Sequence, residues 1–171
     1  MLFRSSMKVN FYQLRVTDIV MTEIILANES HLDELARLFN IYGIFYDQED
    51  DYNSAYAFIR HRIIKKESII FLSCKSTNKF NGFVQLYPSF CSVSKIPILI
   101  LYDLYVDQDQ RGLGIGRMLM NKAKVFAIEN SYKRLELSTA KDNFIGQSLY
   151  ESLGYEKDNA FYHYSLELEN H

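Results

Sequence analysis

Apolar positions along this chain recur first at strand spacing, then at helix spacing, and the alternation repeats. Residues 23–27 form a short apolar run suited to a buried strand. Ser30, His31, Leu32 and Asp33 have the composition of a capping box. Leu32, Leu35, Ala36 and Phe39 then repeat at helical spacing. Residues 42–52 read as an aromatic, acidic loop. Ala55, Phe58, Ile59 and Ile63 mark a second helix, with Lys65 and Lys66 near the end where cations suit the dipole. Residues 68–73 are rich in β-formers, 76–82 read as a turn, and 82–87 as the returning hairpin strand, which Pro88 is expected to stop. Residues 98–106 are the most strand-like segment of all. A long helix is predicted over 114–130, with Gly116, Leu119, Met120, Ala123 and Ala127 on one face. Residues 134–138 alternate as a strand, 145–153 form a short helix stopped by Gly154, and 161–168 close the chain as an alternating strand.

This order predicts a mixed α/β fold with helices covering a central sheet. No internal repeat, low-complexity tract or linker divides the chain, so residues 21–171 are expected to form one domain. Residues 1–20 carry scattered Arg and Lys without a compact apolar stretch and cleavage site. They read as an N-terminal extension ahead of a domain that starts at Met21.

Composition narrows the class. With 48% apolar and 15% aromatic residues, intrinsic disorder is excluded. The 19 basic and 21 acidic residues leave a net charge of −2, which argues against nucleic-acid binding by general phosphate neutralisation. Cys74 and Cys91 make no disulfide framework, and no Cys/His cluster has zinc spacing, so no metal is expected. The longest apolar run, 96–102, is far shorter than the roughly 20 residues that span a bilayer. The expectation is a soluble, cytoplasmic protein with neither a nucleic-acid nor a membrane partner.

The sharpest local signal joins the best strand to the best helix: Asp107-Gln108-Asp109-Gln110-Arg111-Gly112-Leu113-Gly114-Ile115-Gly116-Arg117. Glycines at alternate positions let the backbone turn tightly and approach a ligand. The first-turn N–H groups of the helix, with a dipole equivalent to about +0.5 charge, then make an anion site. Arg111 and Arg117 can add charge. Gly-Lys-Ser/Thr is absent, which excludes a Walker loop, and Arg117 stands where a dinucleotide fingerprint needs its third glycine. A tight turn without any ligand is the alternative from this segment alone.

Arg111-x-x-Gly114-x-Gly116 after Leu104-Tyr105-Val106 resembles the pyrophosphate-binding motif of the GNAT superfamily of N-acetyltransferases. About 30 residues on, Asn143-x-x-x-Gln147-x-Leu149-Tyr150-Glu151-x-Leu153-Gly154-Tyr155 is similar to that family's second signature. Residues 82–90 and 102–106 look like a subgroup related to diamine and polyamine acetyltransferases. The resemblance implies a mostly antiparallel sheet, splayed at its central strands, and acetyl-CoA as cosubstrate. It implies that backbone groups of Leu104 and Val106 pair with the pantetheine arm, and that N–H groups at 111–117, including Gly112, Gly114 and Gly116, hold the pyrophosphate. It further implies that Asn143 hydrogen-bonds the cofactor and that Tyr150 protonates the leaving thiolate.

Direct transfer to an amine needs no covalent enzyme intermediate, only a fixed N–H donor for the oxyanion and a proton donor for the thiolate. The acceptor is the harder partner. An alkylamine with pKa about 10.4 is deprotonated in roughly one molecule in 2,500 at pH 7, a cost of about 4.6 kcal/mol. Where the diamine acetyltransferases carry a Glu-Asp pair, this chain has Tyr102-Asp103. Asp103 is expected as a substrate or structural carboxylate and Tyr102 as a base candidate. Asp47, Glu49, Asp50 and Asp51 lie before the second helix, where they attract a cationic acceptor or merely serve the helix dipole. Phe45, Tyr46 and Tyr52 could line a methylene chain.

The expected activity is acetyl transfer to a small primary amine. A protein or peptide N-acetyltransferase and a non-catalytic acyl-CoA-binding regulatory module are the alternatives. Related enzymes are often dimers, so a homodimer is expected by analogy.

Overall fold

The computed structural model describes residues 22–75 and 79–168. The expected extension over 1–20 lies outside them, as does part of the turn at 76–82. Among the described residues the order is β1 (Glu23–Leu26), α1 (Leu32–Phe45), α2 (Tyr52–Lys65), β2 (Ile69–Cys74), β3 (Phe80–Cys91), β4 (Ile96–Val106), α3 (Ile115–Glu129), β5 (Arg134–Leu137) and α4 (Phe144–Ser152). The strands form one sheet in the order β1-β2-β3-β4-β5. Neighbours are antiparallel except β4 and β5, which run parallel and therefore need a crossover, supplied by α3. This is the mixed α/β, mostly antiparallel architecture expected.

The sheet is covered on both faces. On one, α3 packs Ile115, Leu119, Met120 and Ala123 against Phe71, Val84, Leu99 and Leu101. On the other, Leu35 and Leu38 of α1 and Ile59 of α2 meet Ile70, Leu72, Phe83 and Tyr105. Adjacent residues on β2 and β3 go to opposite clusters, as strand alternation requires. Burying each of these large apolar side chains is worth about 1.5–3 kcal/mol.

One irregularity breaks that alternation on β4. The β3–β4 register passes from Gln85↔Asp103 to Leu86↔Leu101, leaving Tyr102 as an extra residue in a bulge. A one-residue insertion reverses the face of everything beyond it. Leu99 and Leu101 therefore face α3, whereas Tyr105, an even number of positions further on, joins the α1 cluster.

Several boundaries differ from expectation, each for a local reason. The cap at the first helix lies at Asn28, not Ser30. Its side chain accepts from Ser30 N–H at 2.9 Å while its own N–H donates to His31 Nδ1 at 3.1 Å, starting a 3₁₀ turn over Glu29–His31. β1 is a half-exposed edge strand with β2 as its neighbour, not a buried one. α1 runs on to Phe45, so Tyr42 is helical and the loop shrinks to 46–51. Pro88 does not end β3, which continues to Cys91. β2 stops opposite Leu86, and a strand with a neighbour on one side tolerates a residue without an N–H. The expected closing strand does not form among the described residues: there 161–168 have no ladder partner, and Phe161, Tyr162, Tyr164, Leu166 and Leu168 are exposed. Alternation marks a segment as fit for a sheet but supplies no neighbour to bond with.

Candidate active site

β4 and β5 pair only from Ile98↔Arg134 to Leu101↔Leu137. β4 then continues through the bulge to Val106, and the two strands part. Beyond the bulge, Asp107 N–H donates to Asn81 C=O at 2.9 Å. Strand alternation therefore turns the backbone groups of Tyr105 and Asp103 toward β3, and those of Leu104 and Val106 toward the gap. The Val106 carbonyl there accepts from Arg111 Nε at 3.0 Å. The gap opens into a cleft of about 2250 Å³ whose lining includes Tyr42, Tyr46, Tyr102, Asp103, Thr139 and Tyr150.

Asp103 is 9% exposed. Burial pushes its carboxyl up to about 6, and a hydrogen bond from the Tyr42 hydroxyl opposes the rise. Burial, together with the Asp103 charge, raises Tyr42 in turn. The Tyr42 ring meets Tyr46 edge-on at 5.0 Å. Across the gap, Tyr150 is half-buried on α4; burial raises its phenol, a hydrogen bond with Thr139 opposes this, and Tyr46 adds to the rise. Asp103, Tyr42, Tyr46 and Tyr150 thus share the lining of one cleft.

The turn after β4 is built from backbone. Gly112 and Gly114 have φ of 79° and 80°, left-handed values that disfavour a side chain. Gly114 is the N-cap of α3, offers no capping side chain, and accepts from Met118 N–H at 3.1 Å. The N–H groups of Ile115, Gly116 and Arg117 are left without an intrahelical partner, at the positive end of the helix. Gly116 does something else: a Cβ there would come within 3.4 Å of Leu149 on α4. The arginines are engaged locally. Arg111 lies over the Phe45 and Tyr105 rings at 5.1 and 5.7 Å, and Arg117 reaches Ser152 Oγ at 2.8 Å. The turn thus presents backbone N–H groups at the positive end of α3, while both arginine side chains are held by local hydrogen bonds.

Asn143 is the N-cap of α4. Its Oδ1 accepts from Gly146 N–H at 3.0 Å, and its Nδ2 donates to Thr139 Oγ1 at 2.9 Å. Tyr102 stands 68% exposed at the bulge, its ring edge-on to Tyr87 at 5.6 Å. The acidic loop divides. Asp51 caps α2 through Ser54 N–H at 3.0 Å, and Asp50 accepts from Asn40 Nδ2 at 2.8 Å. Asp47 and Glu49 line the cleft, and so does Asp51. Tyr52 is tied to Asp33 of α1. Cys91 lies at the far end of β3 and outside the cleft lining, its thiol pulled down to about 7 by hydrogen bonds with Ser94.

Two contributors escaped the sequence reading. Tyr42 continues the helical series 32, 35, 39, 42, a signal that was present but cut short by the aromatic-rich stretch after it. Thr139 had none, because its hydrogen bonds depend on where β5 ends relative to α4.

The chain belongs to the acetyltransferase (GNAT) family, whose model matches residues 32–155. It is 43% identical over 140 residues to the uncharacterized N-acetyltransferase YhfO of Bacillus subtilis, covering 82% of this chain and 93% of that one. The crystal structure of a probable acetyltransferase superposes with a TM-score of 0.80 at 37% identity, over 87% of this chain and 99% of the other. An aminoglycoside acetyltransferase, meta-AAC0020 from an uncultured soil metagenomic sample, shares the fold with a TM-score of 0.72 at 18% identity, over 85% and 97% of the two chains. The protein is accordingly an acyltransferase with acetyl-CoA as donor.

Proposed function

We propose that the protein transfers the acetyl group directly to a primary amine of a small cationic acceptor: a diamine, a polyamine or a lysine-like amino acid. The observation that carries this reading is the parting of β4 from β5 at Leu101↔Leu137, which exposes buried Asp103 and the Tyr150 phenol to one cleft. Acetyl-CoA supplies the activated acyl group. Its pyrophosphate fits the N–H groups at 111–117, and its pantetheine arm fits the free edge of β4 at Leu104 and Val106. Asn143 has one Nδ2 proton beyond its bond to Thr139 with which to meet the cofactor.

The acceptor enters from the α1 side. A carboxylate near pKa 6 is ionised at pH 7 and still basic enough to take an ammonium proton, the condition for a general base. We assign that task to Asp103, with exposed Tyr102 forming part of the acceptor wall. The leaving thiolate needs a donor that is still protonated at working pH, and a buried phenol with a raised pKa meets that need. Tyr150 fills this role.

A peptide acceptor is the second reading. It is favoured by a cleft larger than the roughly 300–1,000 Å³ of ordinary small-ligand sites. Thiol release from acetyl-CoA, measured across diamines, polyamines, lysine analogues, aminoglycosides and basic peptides, tests both. Saturable turnover on one small-amine class is the expected result. Turnover on peptides alone transfers the assignment to protein modification, and silence across the panel with tight CoA binding overturns the catalytic reading.

A further inference from the structure

We propose that Arg117 is a positioning residue: through Ser152 it ties the last turn of α4, and with it Tyr150, to the start of α3, instead of serving as a ligand of the cofactor phosphates. The proposal rests on the reading of Tyr150 as donor to the thiolate.

Donors and acceptors leave one direction for this contact. A guanidinium can only donate, so Arg117 Nη2 donates to Ser152 Oγ at 2.8 Å. A carbonyl can only accept, so the Ser152 hydroxyl gives its single proton to the Leu149 carbonyl at 2.6 Å. At this helix end Leu153 N–H turns to the Tyr150 carbonyl at 3.0 Å, and the Ser152 hydroxyl serves Leu149 instead. One side chain of α3 thus holds the turn of α4 made by residues 149–152.

Charge favours the same placement. With Gly114 as N-cap, Arg117 is the third residue of α3, at the helix end where a cation is disfavoured. Ser152 is the last residue of α4, at the negative end of that helix, where a cation is favoured. Reaching across moves the guanidinium from the first field into the second. The helix α4 also needs a tie. None of its residues is buried, and Leu149 and Tyr150 are only partly so, against the cluster beneath α3. Gly116, the residue before Arg117, lets the two helices approach: a Cβ there would stand 3.4 Å from Leu149 Cδ2. With so little burial, the aim of the Tyr150 phenol into the cleft depends on these few contacts.

The test uses the full chain with coenzyme A itself as the probe. It reads the affinity for coenzyme A, the pKa of the bound thiol from ultraviolet absorbance, and hydrogen exchange of the α4 amides. Ser152→Ala keeps the Arg117 charge, so what it loses reports geometry rather than attraction. In Ser152→Ala and in Arg117→Met, amides 146–152 should exchange about fivefold faster, and the double variant should go no further than either single one. Affinity for coenzyme A should fall less than about tenfold in both. The phenol proton, aimed at sulfur, should lower the wild-type thiol's pKa by about one unit relative to free coenzyme A. Tyr150→Phe should abolish that shift, Ser152→Ala and Arg117→Met should lose most of it, and Ser152→Thr, which keeps the hydroxyl, should retain it. A loss of affinity of about tenfold or more in Arg117→Met alone makes Arg117 a phosphate ligand and overturns the proposal. Unchanged exchange in both variants overturns it as well, and faster exchange with an intact thiol shift overturns the positioning role. If the wild-type complex shows no lowering, or Tyr150→Phe leaves the shift intact, the Tyr150 reading itself falls and the positioning role with it, while exchange still decides the tie. Melting temperatures establish that each variant is folded, and Arg117→Gln replaces the methionine variant if that one is not.

Discussion

The two sides of the cleft are made of different material. Where β4 runs into α3, the site consists of backbone: left-handed glycines, uncapped N–H groups and an unpaired strand edge. Its arginine side chains are occupied with Val106, Ser152 and aromatic rings. On the α1 side the site consists of side chains, a buried carboxylate from β4 and the phenols of Tyr42 and Tyr46, with Tyr150 of α4 facing them across the gap. On our reading the backbone side meets what every donor molecule shares, a phosphate and an amide-bearing arm. A side-chain site can be changed one residue at a time, and on our reading it is where this protein's acceptor is chosen.

Asp103→Asn should do the most damage, lowering kcat/KM for the acceptor about 100-fold or more with little change in KM for acetyl-CoA. The wild-type acid limb near pH 6 should vanish with it. Stability should move the other way. Because the folded-state pKa of about 6 lies above the ordinary 3.8, Asp103 favours the folded state fully below about pH 4, and that contribution is lost as pH rises through 6. At pH 7.5 the buried charge costs about 2–3 kcal/mol, so the Asn variant should melt above the wild type there and level with it near pH 4. An Asn variant that keeps both turnover and the acid limb would move the base elsewhere.

Gly114→Ala probes the backbone side. The added methyl meets open space, so its cost is the left-handed φ of 80° alone. That cost is about 1–2 kcal/mol, enough to raise KM for acetyl-CoA about tenfold if the turn must hold its shape on binding. The acceptor KM should not move, and a variant that changes both constants equally would erase the division between the two sides. The smallest effect belongs to the loop. Asp47→Asn with Glu49→Gln should raise the KM of a cationic acceptor about two- to threefold at low salt. The difference should vanish at 1 M salt, where the Debye length is about 3 Å. Persistence at high salt would mean direct contact rather than attraction at a distance.

The same division explains what could be read in advance. Helix faces such as Leu119, Met120, Ala123 and Ala127 were legible because amphipathic spacing is local. So was the glycine turn, since glycine is the residue that takes a positive φ at least cost. The β4 bulge was not legible. Nothing in residues 98–106 says that Tyr102 is the extra one, because a bulge is defined only against the partner strand. Yet that single slip turns Asp103 away from α3 and toward Tyr42. The expected last strand failed for the same kind of reason, its alternation being genuine but finding no partner among the described residues. Four clustered carboxylates also looked alike in sequence; only the tertiary structure gives Asp51 to Ser54 and Asp50 to Asn40, and places Asp47, Glu49 and Asp51 along the cleft.

Spacing and glycines, which act within a turn or two of chain, determined the elements from β1 to α4, the covered sheet and the glycine turn from sequence alone. Tertiary structure decided the parting of β4 from β5 and the burial that lifts the Asp103 carboxyl. Each of these is a relation between residues tens of positions apart, whose energies depend on distance and solvent exclusion.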